Sequence, residues 1–498
     1  MNVFALFRSR FGSAPAHPFV QHAGQVSMTY GQIDDASGRL ASALHGLGLA
    51  KGDRVVVRME KSAWLIAMYF ACLRAGLVFV PVNPHGPAAE VARIVDDAQP
   101  GLVVQDEAEV LLPGSVRSQT LTSQGGGSLG GAAAGLAPLD PVPVDAQALG
   151  LIVYTSGSTG APKGVCWSHG LMCSNAQQQF GQWGFRRDDV FLHALPMFHS
   201  HGLSVALNSV LMSGCTLRML SRFDTEEVIA QLAGCTIMSG VPTMYIRLLE
   251  SAQLTARACK GMRLFMSSSA GLPAAISTQF ERRTGHRILE YYGLTETGTL
   301  ASNPLEGERV SGSVGRALPG VELKTVSTEG AAQRPGEIGE LRVRKPQWFS
   351  GYWRRAEETA RAFAPDGFYC TGDLATIDPR GYVHLVGRSR DVIVAGGFKI
   401  YPREIETALD RQAGVRQSVV LGVPHPSLGE VPVALVVLDP QGTGAQDTLL
   451  DRLRAELPAY KLPRRIIVSP ELPRGASGKI DVQSLRAQLA DLFAANAA

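Results

Sequence analysis

The chain has 498 residues, of which 45% are apolar and 18% are charged, and its formal net charge at pH 7 is +3. A chain of this length is too long to fold around a single hydrophobic core, so two or more domains are expected. A charge so close to zero, without runs of basic residues, argues against nucleic acid as a partner. The seven cysteines are dispersed without a C-x-x-C pair, which argues against a zinc site or a disulfide framework and favours a reducing, cytoplasmic location.

The first 390 residues alternate between helical spacing and short β-branched runs. The longest apolar run, residues 63–73, is well short of the roughly 18 residues of a membrane span and predicts a buried helix. The N-terminus lacks the apolar core of a signal peptide. Strands are predicted at 54–58, 78–82, 101–104, 149–155 and 235–241, and helices at 36–47, 88–98 and 225–233. This alternation predicts an α/β protein with largely parallel sheets, and the glycine-rich segment 124–135 is expected to be a surface loop.

The composition shifts twice towards the C-terminus. From about residue 335, short strands separated by P-D-G and D-P-R-G turns predict a β-rich subdomain. After residue 390, helices and strands alternate again in a small α+β unit. We therefore predict an N-terminal domain over 1–389 and a C-terminal domain over 390–498.

The stretch YTSGSTGAPKGV is the strongest chemical signal in the sequence. It follows the predicted strand at 149–155, and its small residues let backbone and hydroxyl donors approach anionic oxygens closely. It does not match a Walker A loop, because Lys163 stands between Pro162 and Gly164, and it does not match a G-x-G-x-x-G fingerprint either. The residues predicted to hold phosphate are Thr155, Ser156, Gly157, Ser158, Thr159, Gly160 and Lys163.

With five further motifs in the same order, the chain resembles the adenylate-forming superfamily of acyl-CoA synthetases, adenylation domains and luciferases. The five motifs are LPMFHSHGL (195–203), EYYGLTETG (290–298), the segment 368–391, GGFKIYPREIE (396–406) and PRGASGKI (473–480). The resemblance implies a large adenylate-forming domain followed by a small, mobile C-terminal lid. It also implies an ATP-dependent enzyme that forms an acyl-adenylate and then an acyl-CoA, with ATP, Mg²⁺ and CoA as its small-molecule requirements.

The resemblance assigns roles to individual residues. Tyr292 and Gly293 would contact adenine, and Asp373 and Arg388 the ribose. Thr295 would touch the α-phosphate. Glu296 would hold Mg²⁺, whose preferred ligands are oxygens. Lys479 would bridge the substrate carboxylate and the α-phosphate, Arg390 would be the hinge, and Gly396 and Gly397 would line the pantetheine tunnel.

The segments around the predicted acid pocket bear on the identity of the carboxylic acid substrate. The sequence segments around the predicted pocket look most like those of malonyl-CoA synthetases. Arg247 of this chain matches an arginine that, in that family, helps to hold the distal carboxylate of malonate. That family usually has a second arginine where this chain has Tyr291. His199, His201 and Ser268 are further candidates for the acid pocket, and His201 is also a candidate catalytic residue. We favour a malonate-like dicarboxylate and keep a short aliphatic or aromatic monocarboxylate as the alternative.

Two other functions stay open at this level. A stand-alone adenylation enzyme would load an acyl carrier protein instead of free CoA. A sensor or scaffold would bind nucleotide without catalysis, which the presence of Glu296, Asp373 and Lys479 disfavours. The sequence does not indicate an oligomeric state.

Overall fold

The computed structural model describes residues 1–106, 116–156, 162–327, 329–439, 446–475 and 480–493. The helices are α1 (Val3–Phe11), α2 (Tyr30–Gly46), α3 (Ala63–Ala75), α4 (Ala88–Ala98), α5 (Gly127–Ala133), α6 (His169–Trp183), α7 (Asn208–Ser213), α8 (Thr225–Leu232), α9 (Pro242–Glu250), α10 (Ala274–Thr284), α11 (Ala356–Arg361), α12 (Pro402–Asp410), α13 (Gln446–Glu456) and α14 (Val482–Leu489). A π-helix over His201–Leu207 precedes α7, and short 3₁₀ turns span Ser389–Asp391 and Ala459–Lys461.

The strands are β1 (Pro18–His22), β2 (Gln25–Thr29), β3 (Arg54–Arg58), β4 (Val78–Pro81), β5 (Leu102–Gln105), β6 (Ser118–Thr120), β7 (Leu149–Ser156), β8 (Pro162–Ser168), β9 (Val190–His193), β10 (Thr216–Met219), β11 (Ile237–Gly240), β12 (Leu264–Ser267), β13 (Ile288–Leu294), β14 (Gly298–Ser302), β15 (Arg316–Ala317), β16 (Glu322–Val326), β17 (Gly339–Arg344), β18 (Tyr369–Ile377), β19 (Val383–Arg388), β20 (Ile393–Ala395), β21 (Phe398–Ile400), β22 (Val415–His425), β23 (Gly429–Leu438) and β24 (Arg465–Val468).

Two large sheets form the core of the N-terminal part. The six-stranded sheet has the order β6-β5-β3-β4-β7-β8 and is parallel except for the β7–β8 pair. The nine-stranded sheet has the order β15-β14-β13-β12-β11-β9-β10-β1-β2 and is parallel from β13 to β1. The α/β prediction is confirmed, with antiparallel strands added at the edges of both sheets.

The predicted helix at 63–73 is confirmed as α3, which begins and ends as its sequence dictates. Ser62 caps it by accepting from Leu65 N, and Gly76 ends it in the left-handed conformation, with φ of 72°. Almost every side chain in between is buried, which explains why this helix shows no polar face. Within the described residues, no helix combines the length and the apolarity needed to cross a bilayer.

The glycine-rich segment 124–135 corrects one prediction. Instead of a plain loop, it contains α5, whose Leu129 and Ala133 are buried. Burial of these two side chains against the core outweighs the low helix propensity of the surrounding glycines.

The C-terminal elements form two further sheets, as expected from the composition shifts. Strands β16 to β19 make an antiparallel four-stranded sheet. Strands β20 to β24 make a separate sheet that begins at Ile393, close to the predicted cut at residue 390. The architecture is thus a large N-terminal part followed by a small C-terminal domain.

Candidate active site

The motifs 195–203 and 290–298 lie at one edge of the nine-stranded sheet, because they follow or contain the carboxyl ends of its parallel strands β9 and β13. Strands β11, β12 and β13 pair in register, so their carboxyl ends lie side by side. Ligands in open α/β sheets bind at this edge. This edge supplies Tyr292, Thr295, Glu296 and His201, whereas Lys163, Asp373 and Arg388 come from strands of other sheets.

The loop predicted to hold phosphate lies between β7 and β8, where Thr155 is opposite Lys163. The ammonium of Lys163 pairs with Glu358 and lies 5.5 Å from the centroid of the Tyr352 ring. Lys163 is therefore held beside the loop by an acidic residue that the sequence analysis did not single out. The remaining loop residues, or their side chains, lie outside the described residues: Ser156, Gly157, Ser158, Thr159 and Gly160.

The turn after β13 carries Thr295 and Glu296, and three other segments hold it. Trp167 Nε1 donates to the carbonyl oxygen of Thr295 at 2.7 Å, and Ser200 Oγ lies 3.1 Å from Thr295 Oγ1. The hydroxyl of Tyr352 donates to Glu296 Oε1 at 3.0 Å. Burial raises the pKa of Tyr352, with the charge of Glu296 adding to the effect, so the phenol stays protonated and remains a donor.

Tyr292, Asp373 and Arg388 meet, although Tyr292 is far from the other two in sequence. Asp373 and Arg388 are opposite each other on β18 and β19. The Arg388 Nε atom lies 2.7 Å from Asp373 Oδ1, and the Tyr292 hydroxyl donates to Asp373 Oδ2 at 2.5 Å. Burial and the nearby Asp373 carboxylate raise the pKa of Tyr292 well above its usual value. The structure thus joins the three residues that the resemblance assigns to a nucleoside.

A second cluster forms around His201, at the start of the π-helix. His201 Nε2 lies 2.6 Å from the Tyr291 hydroxyl oxygen and 2.9 Å from Ser239 Oγ, and His201 Nδ1 lies 3.0 Å from Ser269 Oγ. The Tyr291 ring is buried against Trp183, with 4.8 Å between ring centroids. We call His201, Ser239, Ser269 and Tyr291 the imidazole–hydroxyl cluster. Its members come from the motifs 195–203 and 290–298, from strand β11 and from the segment that follows β12.

The backbone at this cluster is constrained. Ser269 adopts a φ of 72°, which is uncommon for a residue with a side chain. Such conformations concentrate at binding and catalytic sites, where the surrounding structure enforces them. Here the strained residue is the one that contacts His201 Nδ1.

The other predicted pocket residues lie in different surroundings. Ser268 is buried, and its backbone N–H donates to the carbonyl of Gly240. His199 is half-buried, with its ring 4.5 Å from that of Phe198. Arg247 lies on the exposed side of α9, and its guanidinium lies 5.0 Å from the centroid of the Phe223 ring. The structure brings Tyr291 and His201 together, but it turns Arg247 outward.

The predicted hinge and tunnel residues lie at the start of the C-terminal domain. Arg390 is exposed within the short 3₁₀ turn. Gly396 and Gly397 form the two-residue connection between β20 and β21, with φ of 54° and 87°. Two positive φ values in such a hairpin favour glycine at both positions. Lys479 lies outside the described residues.

Sequence reasoning missed several residues that hold the site together: Trp167, Ser200, Ser239, Ser269, Tyr352 and Glu358. Ser200 lies between the two histidines of the recognised motif 195–203, and this position could have identified it as a site residue. The contact between Trp167 and Thr295 spans 128 residues and leaves no trace in local spacing.

Comparisons with known proteins agree with this geometry. The family model for AMP-binding enzyme matches residues 7–353, and the model for the AMP-binding enzyme C-terminal domain matches residues 404–479. A crystal structure of ATP-bound MatB from Rhodopseudomonas palustris superimposes with a TM-score of 0.94 at 39% identity, covering 99% of this chain and 100% of that one.

Curated relatives include a malonate–CoA ligase from Arabidopsis thaliana, 31% identical over 93% of this chain and 85% of its own length. A feruloyl-CoA synthase from an Amycolatopsis species is 32% identical over 94% of this chain and 95% of its own length. Relatives named for such different acids have nearly the same identity, so similarity alone does not determine the acid. The chain belongs to the AMP-binding enzymes of the adenylate-forming superfamily, and it is an acyl-CoA ligase.

Proposed function

We propose that this ligase joins a short carboxylic acid to CoA in two steps. A carboxylate oxygen attacks the α-phosphorus of ATP and pyrophosphate leaves, and the CoA thiol then attacks the acyl carbonyl and AMP leaves. The observation that carries the proposal is the meeting of Tyr292, Asp373 and Arg388 beside the turn of Thr295 and Glu296. This arrangement offers an aromatic face, a carboxylate, an arginine and a hydroxyl to one nucleotide.

The nucleotide roles follow from these groups. Asp373 is buried and oriented from both sides, which suits an acceptor for ribose hydroxyls. The Thr295 hydroxyl would donate to the α-phosphate, where charge increases in the transition state. The cation Lys163 and the donors of its loop would compensate the charge of the leaving pyrophosphate.

Glu296 is suited to Mg²⁺. Its carboxylate is half-buried, and one oxygen is oriented by the Tyr352 hydroxyl. Mg²⁺ is commonly held by one or two carboxylates together with substrate phosphates and water, so a single oriented carboxylate fits this requirement. When bound, the ion would neutralise phosphate charge, and the task of the chain is to present Glu296 in the correct direction.

The C-terminal domain would serve both steps. We assign Lys479 to the first step, as the cation beside the carboxylate and the α-phosphate. We assign Arg390 to the hinge and the Gly396–Gly397 hairpin to the pantetheine tunnel in the second step. The absence of Cβ atoms at that hairpin leaves room for a thin chain to pass.

For the acid, the groups of the imidazole–hydroxyl cluster favour a molecule with an uncharged distal end. The imidazole–hydroxyl cluster offers hydroxyl groups and a histidine where a second carboxylate would call for a fixed cation. Tyr291 engages His201 instead of presenting a positive charge. A short aliphatic or aromatic monocarboxylate, the alternative in the sequence analysis, therefore becomes our first candidate in place of the malonate-like dicarboxylate that the sequence favoured.

A malonate-like dicarboxylate is the second candidate, favoured by the similarity to MatB and to the malonate–CoA ligase. In this case Arg247 would have to turn inward from Phe223 to pair with the distal carboxylate. The Arg247→Ala variant would then raise the KM for the dicarboxylate while leaving the KM for a monocarboxylate unchanged. An unchanged preference between the two acids would remove the dicarboxylate reading.

The decisive experiment is an acid panel with ATP, Mg²⁺ and CoA, read by mass spectrometry of the thioester and by nucleotide analysis. Malonate, propionate, butyrate and benzoate would separate the candidates. Purified acyl carrier protein, substituted for CoA, would test the alternative acceptor. Failure to form AMP and pyrophosphate with any acid of a broad panel would refute the proposed function.

A further inference from the structure

Lys345 is a buried lysine next to the turn that carries Thr295 and Glu296. It directly follows β17, and only 8% of the residue is exposed. Its Nζ donates to the carbonyl oxygen of Thr297 at 2.6 Å and lies 3.4 Å from Asn175 Oδ1. Neither partner is charged, and none of the ion pairs found among the described residues involves Lys345.

Keeping this ammonium buried is unfavourable. Desolvation lowers the pKa of Lys345 to about 8. A buried ammonium without a counter-ion is tolerated only where hydrogen-bond acceptors compensate for the lost water. The carbonyl oxygen of Thr297, at 2.6 Å, therefore provides most of the stabilisation that replaces water. The hydrogen bond is charge-assisted and strong.

Thr297 is the closing residue of the turn. Its N–H donates to the carbonyl of Leu294, and the N–H of Leu294 donates to Thr297 Oγ1. The next residue, Gly298, has a φ of 67°, and a Cβ there would come within 2.4 Å of Asn175. Lys345 and Asn175 thus pack against the end of the turn, at Thr297 and Gly298.

The two residues before Thr297 are held by other groups. Trp167 fixes the carbonyl of Thr295, and Tyr352 fixes the carboxylate of Glu296. Lys345 supplies a further contact, at the carbonyl of Thr297. Without it, the peptide of Thr297 would lose its charged donor, and the turn that carries Thr295 and Glu296 would be held at fewer points.

We propose that Lys345 is a positioning residue for adenylation: its ammonium holds the Thr297 carbonyl and thereby aims Thr295 and Glu296 at the nucleotide. The inference rests on the proposed function of these two residues. Lys345 acts through the backbone and has no direct contact with the reacting atoms.

The test uses Lys345→Met, which keeps the length of the side chain but removes its charge and its donors. Lys345→Arg keeps both, and a surface cavity of about 460 Å³ borders the residue. Lys260→Met, at an exposed lysine, is the matched control for loss of charge. All variants are compared as full-length protein after their thermal unfolding has been measured.

We expect Lys345→Met to lower kcat/KM for ATP in acid-dependent pyrophosphate exchange by about tenfold to a hundredfold, the usual effect of losing a charged hydrogen bond. Conversion of supplied acyl-adenylate and CoA to thioester should change little, and Lys345→Arg should recover most of the exchange activity. Equal losses in both half-reactions, or no loss in exchange, would overturn the inference.

Calorimetric binding of ATP with Mg²⁺ separates this inference from the proposed function. If the wild-type protein binds ATP but exchanges pyrophosphate with no acid, the proposed function fails, while weaker ATP binding by Lys345→Met still supports the positioning role. Unchanged binding would contradict it. Should Lys345→Met not fold, Lys345→Gln, which keeps a neutral donor, is put through the same measurements.

Discussion

Removal of the Tyr352 hydroxyl gives a sharp test of how Glu296 is held. Tyr352→Phe deletes one oxygen atom and preserves the ring, which contacts Lys163 and the aromatic rings around it. The lost bond is the one from the phenol to Glu296 Oε1 at 3.0 Å. Since the acceptor is a carboxylate in a half-buried position, its loss costs about 1.5–3 kcal/mol.

That free energy corresponds to a fall of about tenfold to 150-fold in kcat/KM for the first half-reaction. The assay is acid-dependent exchange of labelled pyrophosphate into ATP over a range of Mg²⁺ concentrations. We expect Tyr352→Phe to need more Mg²⁺ for half-maximal exchange, because Glu296 is less well oriented. Thioester formation from supplied acyl-adenylate should be nearly unaffected.

Tyr369→Phe provides the control. Its hydroxyl lies 3.4 Å from that of Tyr352, and Tyr352 stands between it and Glu296 in the hydrogen-bond chain. A much smaller loss is therefore expected. If Tyr352→Phe leaves both exchange and its Mg²⁺ dependence unchanged, the orientation of Glu296 by Tyr352 is refuted.

Three further predictions concern other parts of the site. Asp373→Asn should raise the KM for ATP by about tenfold or more, because the charged partner of Arg388 and the Tyr292 hydroxyl is lost; steady-state kinetics with ATP varied will show it, and an unchanged KM would argue against a ribose contact. Burial raises the pKa of Glu290 to about 8, above its unfolded value, so stability should decline as pH rises from about 4.5 to 8. Glu290→Gln should flatten the dependence of Tm on pH over that window, and a parallel curve would exclude Glu290 as its cause. Lys479→Ala should abolish pyrophosphate exchange but spare thioester formation from supplied acyl-adenylate, whereas equal loss of both would contradict its role.

Much of the fold follows from local patterns in the chain. Strands such as Arg54–Arg58 and helices such as Ala88–Ala98 coincide with the predicted segments, because β-branched runs and helical spacing reflect burial on one or both faces. The helix Gly127–Ala133 was not predicted. A few buried side chains decide its conformation, and the composition of the segment does not reveal them. Tertiary burial there outweighs intrinsic propensity.

The candidate active site also combines features that the sequence predicts with features that it does not. The motif containing Tyr292 and the one containing Asp373 could each be recognised, but the hydrogen bond that joins them spans 81 residues and appears only in three dimensions. The orientation of Arg247 was also beyond the sequence. On α9 the neighbouring Tyr245 and Leu248 are buried, so the 3.6-residue repeat turns Arg247 outward. The face of a helix that lines a pocket is determined by the elements against which the helix packs.

The most direct test of the account uses an acid substrate whose carboxylate carries ¹⁸O. Attack by the carboxylate on the α-phosphorus, followed by thioester formation, must leave one labelled oxygen in AMP, and mass spectrometry of the nucleotide should find it there. Formation of ADP, or recovery of the label in pyrophosphate or inorganic phosphate, would contradict an acyl-adenylate as the intermediate.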